Sequence, residues 1–282
     1  MTLAAPKTAT PRFLYGTAWK EEATQALTEL AIQQGFRGID TANQRKHYYE
    51  AAVGAAIAAC IQRGQVTRED LFIQTKFTFQ AGQDHRLPYD PKSPIEVQVA
   101  QSCTSSLEHL RTDRIDSYVL HGPSRGLGLG PADWAAWKAM EELHDRGTVG
   151  ALGISNVSLD QLTELCQRVR ILPRFVQNRC YAIQRWDYTV RKFCQQNEIV
   201  YQGFSLLTAN RAVWGAADLT AIAKRLDRSP AQIIFRFAMQ IGMLPLTGTT
   251  KAANMQADLE VEQFNLTDAE VHQIENILVR NS

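Results

Sequence analysis

Three ionisable residues each close an apolar stretch: Asp40 in GFRGIDTA, Lys76 in LFIQTK and His121 in IDSYVLH. Packing gives no reason for such residue types at those places. A lysine closing a buried strand carries a desolvation cost unless it is paired, and Asp40 on the preceding stretch is the candidate partner. Tyr48 and Tyr49 follow shortly after Asp40. A phenol begins with a pKa of about 10. A nearby ammonium stabilises the phenolate and lowers that value, so such a phenol can donate a proton near neutral pH. Asp40, Tyr48, Lys76 and His121 at one place would form a proton-donating device suited to reducing a carbonyl. The bland reading is also open: an Asp–Lys pair can simply tie two strands, and a lone histidine can be a hydrogen-bonded structural group.

The elements that must position these residues alternate regularly. FLYGTA, FRGIDTA, LFIQTKF, IDSYVLH, ALGIS, RFVQNR, IVYQGFS and MLPLTG read as strands, and helix-period segments separate most of them. Leu27, Leu30 and Ala31 follow the helical rows of the first such segment. Gly35, Gly64, Gly147 and Gly242 follow four of the helices, where a left-handed residue ends the last turn. Ser229-Pro230 opens another, with Ser as N-cap and Pro at N1. Eight β-α repeats in about 250 residues predict a (β/α)8 TIM barrel, whose strand ends converge on one mouth. A doubly wound sheet would carry a Gly-rich fingerprint after its first strand; here GTAWKEE follows instead. The absence of a Pro-, Gly- or Ser-rich linker predicts a single domain over residues 1–282, with residues 1–11 a flexible lead-in. The longest expected loops are Thr78–Pro94 and Leu207–Asp218, and long loops over a barrel mouth often bind ligands.

Composition narrows the class. The chain has 282 residues, is 45% hydrophobic and carries a net charge of +1. That balance gives no electrostatic reason to expect nucleic acid. No stretch approaches the roughly 20 apolar residues of a membrane span, and the start lacks a signal-peptide core. The five cysteines (Cys60, Cys103, Cys166, Cys180, Cys194) are odd in number and contain no CxxC. Neither a disulfide frame nor a zinc site is expected, and a reduced, cytoplasmic setting follows. The expected partner is a small-molecule carbonyl substrate, the expected metal none, and the expected state a monomer.

In order along the chain, GTAWK, GFRGIDTANQRKHYYEAAVG, LFIQTK, IDSYVLHGP, ALGISN, VQNR and GFSLL resemble the motifs of the aldo-keto reductase family. The resemblance covers nearly the whole chain. It implies Tyr48 as general acid, with Asp40 and Lys76 lowering its pKa, and His121 orienting the carbonyl. It implies that Ser155, Asn156 and Gln177 hold a nicotinamide carboxamide and that Phe204 stacks on the ring. Gly16, Thr17, Ala18 and Asp40 would border the cofactor, and Ser205, Leu206 and Leu207 would cover its pyrophosphate. Trp19, with Tyr48 and His121, would contact substrate. At the adenosine end the resemblance implies Thr247, Gly248, Thr249, Thr250, Lys251, Asn254 and Asp258.

Several positions depart from the family pattern. Arg45 stands where the commoner spacing puts tyrosine, and NQRKHYYE is longer than usual, so Tyr48 and Tyr49 compete for the role of acid. GFSLL replaces A-Y-S-P-L, but a phenylalanine face can still stack. Asn254 and Asp258 replace an arginine and an asparagine that help hold a 2′-phosphate. NADPH (NADP+) is the expected cofactor, with NADH also accepted. Two other functions compete: a lyase or aldolase forming a Schiff base on Lys76, and a cofactor-binding regulatory subunit of the same fold.

Overall fold

The computed structural model describes residues 9–279; residues 1–8 of the expected lead-in lie outside the described residues. Eight strands form a closed parallel barrel in sequence order. They are β1 (Leu14–Gly16), β2 (Gly38–Asp40), β3 (Phe72–Phe77), β4 (Ile115–Leu120), β5 (Val149–Ser155), β6 (Phe175–Arg179), β7 (Val200–Phe204) and β8 (Met243–Thr247). β1 pairs with β8 to close the ring, Tyr15 lying opposite Thr247. Among the described residues ten α-helices follow or separate the strands: α1 (Thr24–Gln34), α2 (Glu50–Gln62), α3 (Ile95–Leu110), α4 (Pro131–Asp145), α5 (Leu159–Arg168), α6 (Tyr188–Gln196), α7 (Ala217–Leu226), α8 (Pro230–Gln240), α9 (Ala252–Leu259) and α10 (Asp268–Glu275). Among the described residues no helix is long and apolar enough to cross a membrane.

Local chemistry accounts for the boundaries. Gly35 ends α1 at φ 111, a backbone that β-carbons disfavour. Ser229 caps α8 by accepting the Gln232 N–H, with Pro230 in the first turn. The sequence pattern suggests that the Leu207–Asp218 loop leads directly to α8. Instead α7 begins at Ala217, and Leu219, Ile222 and Ala223 bury one helical face. That i, i+3, i+4 row was legible, but a three-residue face is a weak periodic signal.

The barrel interior is layered, as strand alternation requires. Leu14, Phe72, Ala151, Phe175 and Leu244 form a small apolar cluster at its floor. One inward step higher, the residues change character. Gln74, Gln177 and Gln202 bury their amides against one another, Gln202 exchanging hydrogen bonds with Gln74 and accepting one from Gln177. One further step brings Lys76, Arg179 and Phe204 toward the mouth. The larger core, including Trp137, Tyr118, Phe235 and Phe237, lies between the barrel and its helices.

Candidate active site

β2, β3 and β4 bring the three strand-end residues together. Lys76 Nζ donates to Asp40 Oδ1 at 2.7 Å and to the Thr41 carbonyl at 2.8 Å. Asp40 Oδ1 also accepts from Gln74 Nε2 at 2.7 Å and from Gln177 Nε2 at 3.0 Å. Lys76 is fully buried and Asp40 nearly so. Burial pulls the Lys76 ammonium down, and Asp40 opposes that pull. An isolated charge this deep would be costly; three donors on one carboxylate oxygen are what make the ionised pair tolerable.

Tyr48 lies in the turn before α2, and its ring centre is 5.3 Å from Lys76 Nζ and 5.9 Å from the His121 ring. Tyr49, the N-terminal cap of α2, stacks instead under the Arg45 guanidinium at 4.0 Å. Of the two tyrosines, Tyr48 is the one at the Asp40–Lys76 pair. One sequence expectation is corrected here. Burial, with a further contribution from the Asp40 charge, raises the Tyr48 phenol above its ordinary value rather than lowering it. The charge of Lys76 is already engaged by Asp40.

His121 directly follows β4. Its backbone N–H donates to the Phe77 carbonyl, and its Nδ1 lies 2.7 Å from the Thr78 hydroxyl. Burial, then the Lys76 charge, lowers the imidazole to about 3, so the ring is neutral across the physiological range. Asn156 Nδ2 donates both to the His121 carbonyl and to the Ser155 hydroxyl. Those bonds tie the end of β4 to the end of β5.

Tyr48, His121 and Asp40 form part of the wall of one cleft of about 910 Å³. The wall continues through Trp19, Ser155, Asn156, Gln177 and Phe204, then through Ser205, Leu206 and Leu207. Thr247, Gly248, Thr249, Asn254 and Asp258 complete it at the far end, while Gly16 and Ala18 border it from β1. Trp19 is 69% exposed at the rim, held at φ 61 with its ring centre 4.0 Å from that of His47. Burial raises the Asp258 carboxyl to about 7, against a hydrogen bond from Thr247 that lowers it.

Four expected site residues do not line the cleft. Thr17 is buried, its hydroxyl donating to the Asp40 carbonyl, so it supports β2 rather than facing a ligand. Lys76 stands behind Asp40 and Tyr48 and does not line the cleft. Thr250 and Lys251 also fall outside the cleft wall, because Lys251 is the exposed cap residue preceding α9. Gln177 does line the cleft, yet its amide nitrogen is directed to Asp40 and Gln202.

Other residues went unnoticed in the sequence. Gln74 and Gln202 help fix Asp40, Thr78 holds His121, and Arg179 lines the cleft beside Phe204. Lys20 is buried and donates to the Gly248 carbonyl at 2.8 Å, which ties β1 to β8; burial brings its ammonium down to about 8. A usable signal existed for three of them. Gln74–Lys76, Gln177–Arg179 and Gln202–Phe204 are i, i+2 pairs, which share one strand face.

Known proteins resemble this chain in sequence and fold. The chain is 30% identical over 266 residues to an uncharacterised oxidoreductase of Schizosaccharomyces pombe, spanning 94% of this chain and 87% of that protein. It is 29% identical to a 9,11-endoperoxide prostaglandin H2 reductase of Trypanosoma cruzi, spanning 88% and 80%. A solved Bombyx mori aldo-keto reductase in complex with NADP superposes with a TM-score of 0.79 at 26% identity, spanning 95% of this chain and 89% of that one. The sequence profile of the Aldo/keto reductase family matches residues 12–279, and with a match of that extent the chain belongs to this family of oxidoreductases.

Proposed function

We propose that the protein reduces an aldehyde or ketone to the alcohol, with NADPH as hydride source and Tyr48 as proton donor. The observation that carries this reading is one continuous cleft. Its near wall holds Tyr48 and His121 above the Asp40–Lys76 pair, and its far wall holds Ser155, Asn156 and Phe204 on β5 and β7.

The donor set fits a nicotinamide dinucleotide. The Ser155 hydroxyl and Asn156 amide offer polar contacts for a carboxamide, and Phe204 offers a ring face. Ser205, Thr247 and Thr249 offer hydroxyls and backbone donors along the remaining length. A bound nicotinamide supplies the hydride. The chain's own residues do the rest. Burial and the Asp40 charge keep the Tyr48 phenol protonated, so the acid is loaded before reaction. As the carbonyl oxygen gains charge, the phenol gives up its proton, and the Lys76 ammonium behind the ring stabilises the phenolate. If the Thr78 hydroxyl donates to His121 Nδ1, the Nε2–H is left as a neutral donor for the carbonyl oxygen.

A relative solved with NADP supports the cofactor, and Thr249 and Asn254 are available for the adenosine end. The lack of a cation among the cleft residues of β8 and α9 supports acceptance of NADH as well. The buried position of Lys76, held by Asp40 and Thr41, speaks against a Schiff base there. Five free cysteines, four of them buried, support a reducing compartment such as the cytoplasm. We assign a monomer with a small-molecule substrate.

The test is loss of NADPH absorbance with a panel of aldehydes and ketones, repeated with NADH. Carbonyl-dependent oxidation is expected. Tight NADPH binding with no turnover on any carbonyl would favour a regulatory subunit instead, and borohydride trapping of substrate on Lys76 would favour a lyase.

A further inference from the structure

The cleft wall contains two aspartates, Asp40 and Asp258, and among the described residues Arg179 is its one Arg or Lys. We infer that Arg179 is the anchor for the cofactor's pyrophosphate. This assignment rests on the dinucleotide reading above and adds the residue that would hold its shared anionic core.

Placement is the first support. Arg179 ends β6 and lies opposite Phe204 in the β6–β7 register. It shares the inward face of β6 with Gln177, whereas Asn178 points outward to Val157 and Asp187. On the ring of strands, Arg179 thus stands between Ser155–Asn156 on β5 and Phe204–Leu207 after β7. The proton-donating residues occupy the arc from β2 to β4 across the mouth. An anion bound by Arg179 lies on the cofactor side of the cleft, not on the side of Tyr48 and Trp19.

Unspent chemistry is the second support. The Arg179 guanidinium lies 5.4 Å from the centre of the Phe204 ring. Among the described residues no carboxylate lies within ion-pair distance of it, and none of its N–H groups has a hydrogen-bond acceptor. It is exposed, so its five donors face the cleft and solvent. A planar fork of this kind matches two phosphate oxygens at once. Next to an aromatic ring assigned to the nicotinamide, the nearest anionic part of a dinucleotide is its pyrophosphate.

This placement has a consequence for cofactor choice. The pyrophosphate is common to NADH and NADPH, so an anchor there strengthens both and discriminates neither. The chain would put its cleft cation on the shared core and leave the 2′ position to neutral donors and Asp258.

Direct binding tests the assignment without turnover. Titration calorimetry of the full chain would compare ADP-ribose, NADH and NADPH for wild type, Arg179→Ala and Arg179→Lys. Arg179→Ala should weaken all three by a similar factor, roughly 10- to 100-fold, the scale of a lost charge-assisted contact. Arg179→Lys, which keeps the charge and loses the fork, should fall between. The melting temperature should not move, because the side chain has no protein ion-pair partner. Three results would overturn the assignment: ADP-ribose binding unchanged in Arg179→Ala, a loss confined to NADPH, or intact dinucleotide binding with a raised KM for carboxylate-bearing aldehydes. A wild-type chain that binds no dinucleotide would sink the proposed function as well, whereas wild-type binding with an unaffected variant would sink only the anchor.

Discussion

Two arcs of the same barrel mouth are built very differently. From β2 to β4, the reacting groups are held by their neighbours: Lys76 and Gln74, with Gln177 from β6, converge on Asp40, and Thr78 holds His121. From β8 into α9, the donors are loosely tied. The Thr249 hydroxyl makes only a long contact within its own turn, although its carbonyl accepts from the Tyr15 hydroxyl, and Lys251 is exposed beside it. Asp258 is a buried carboxylate without a cation among the cleft residues nearby. The difference follows from the task of each arc. Proton transfer depends on dipoles fixed before the reaction, so the first arc is rigid. A dinucleotide brings its own charges and polar groups, so the second arc can leave its donors for the ligand to satisfy.

The largest effect should come from the rigid arc. Tyr48→Phe should cut turnover by roughly 100-fold or more, the scale of general-acid catalysis, while binding of NADPH persists. Tyr49→Phe, which faces Arg45, should change turnover little. Steady-state kinetics with calorimetric binding checks both, and the reverse outcome would remove Tyr48 from the role.

Lys76→Met should be nearly as severe in rate and worse in stability. Removing one partner of a buried pair typically costs about 3–5 kcal/mol; the retained Gln74 and Gln177 donors should place this case at the lower end. The pH profile for alcohol oxidation should shift upward, because the phenolate loses its neighbouring cation. A modest rate loss with an unmoved profile would make Lys76 a purely structural tie.

Thr78→Val tests how far the rigidity matters. It removes one neutral hydrogen bond, worth about 1 kcal/mol or roughly fivefold in rate, and it releases the tautomer of His121. A lower kcat with an unchanged KM for NADPH is expected. If kcat holds, the Thr78 contact does not set the imidazole.

The smallest effect on the chemistry should come from the loose arc, and it is best read as stability. Folded, Asp258 keeps its proton to about pH 7, whereas its ordinary value is 3.8. Between those values the folded state holds the extra proton, so stability falls as pH rises, by at most about 1.4 kcal/mol per pH unit. Asp258→Asn cannot ionise and should flatten that decline in chemical denaturation across the window from the ordinary value of 3.8 up to about 7. The same slope in both proteins would show that Asp258 is already relieved of its burial.

Single positions show how far the sequence could be read. Asp40, Lys76 and His121 were legible because ionisable groups at the ends of apolar runs have no packing explanation. α8 was legible because Ser229-Pro230 is a local signal for a helix start. α7 was overlooked, since Leu219, Ile222 and Ala223 give only a short periodic row. Arg179 shares a strand face with Gln177, which was a usable signal, whereas Lys20 had none: lysines are common, and only its burial against the Gly248 carbonyl makes it unusual.

The sequence by itself determined the barrel, through the alternation of strand and helix periods, and it determined which residues close the strands. Those properties are local, because a strand's inward face follows from period 2 and a helix start from its capping residue. Only the tertiary structure decided that Tyr48 rather than Tyr49 meets the Asp40–Lys76 pair, that Gln177 turns toward Asp40, that Lys251 lies outside the cleft, and that burial raises the Tyr48 phenol. Each of those depends on distances between residues far apart in the chain, and on how much water the closed barrel excludes from them.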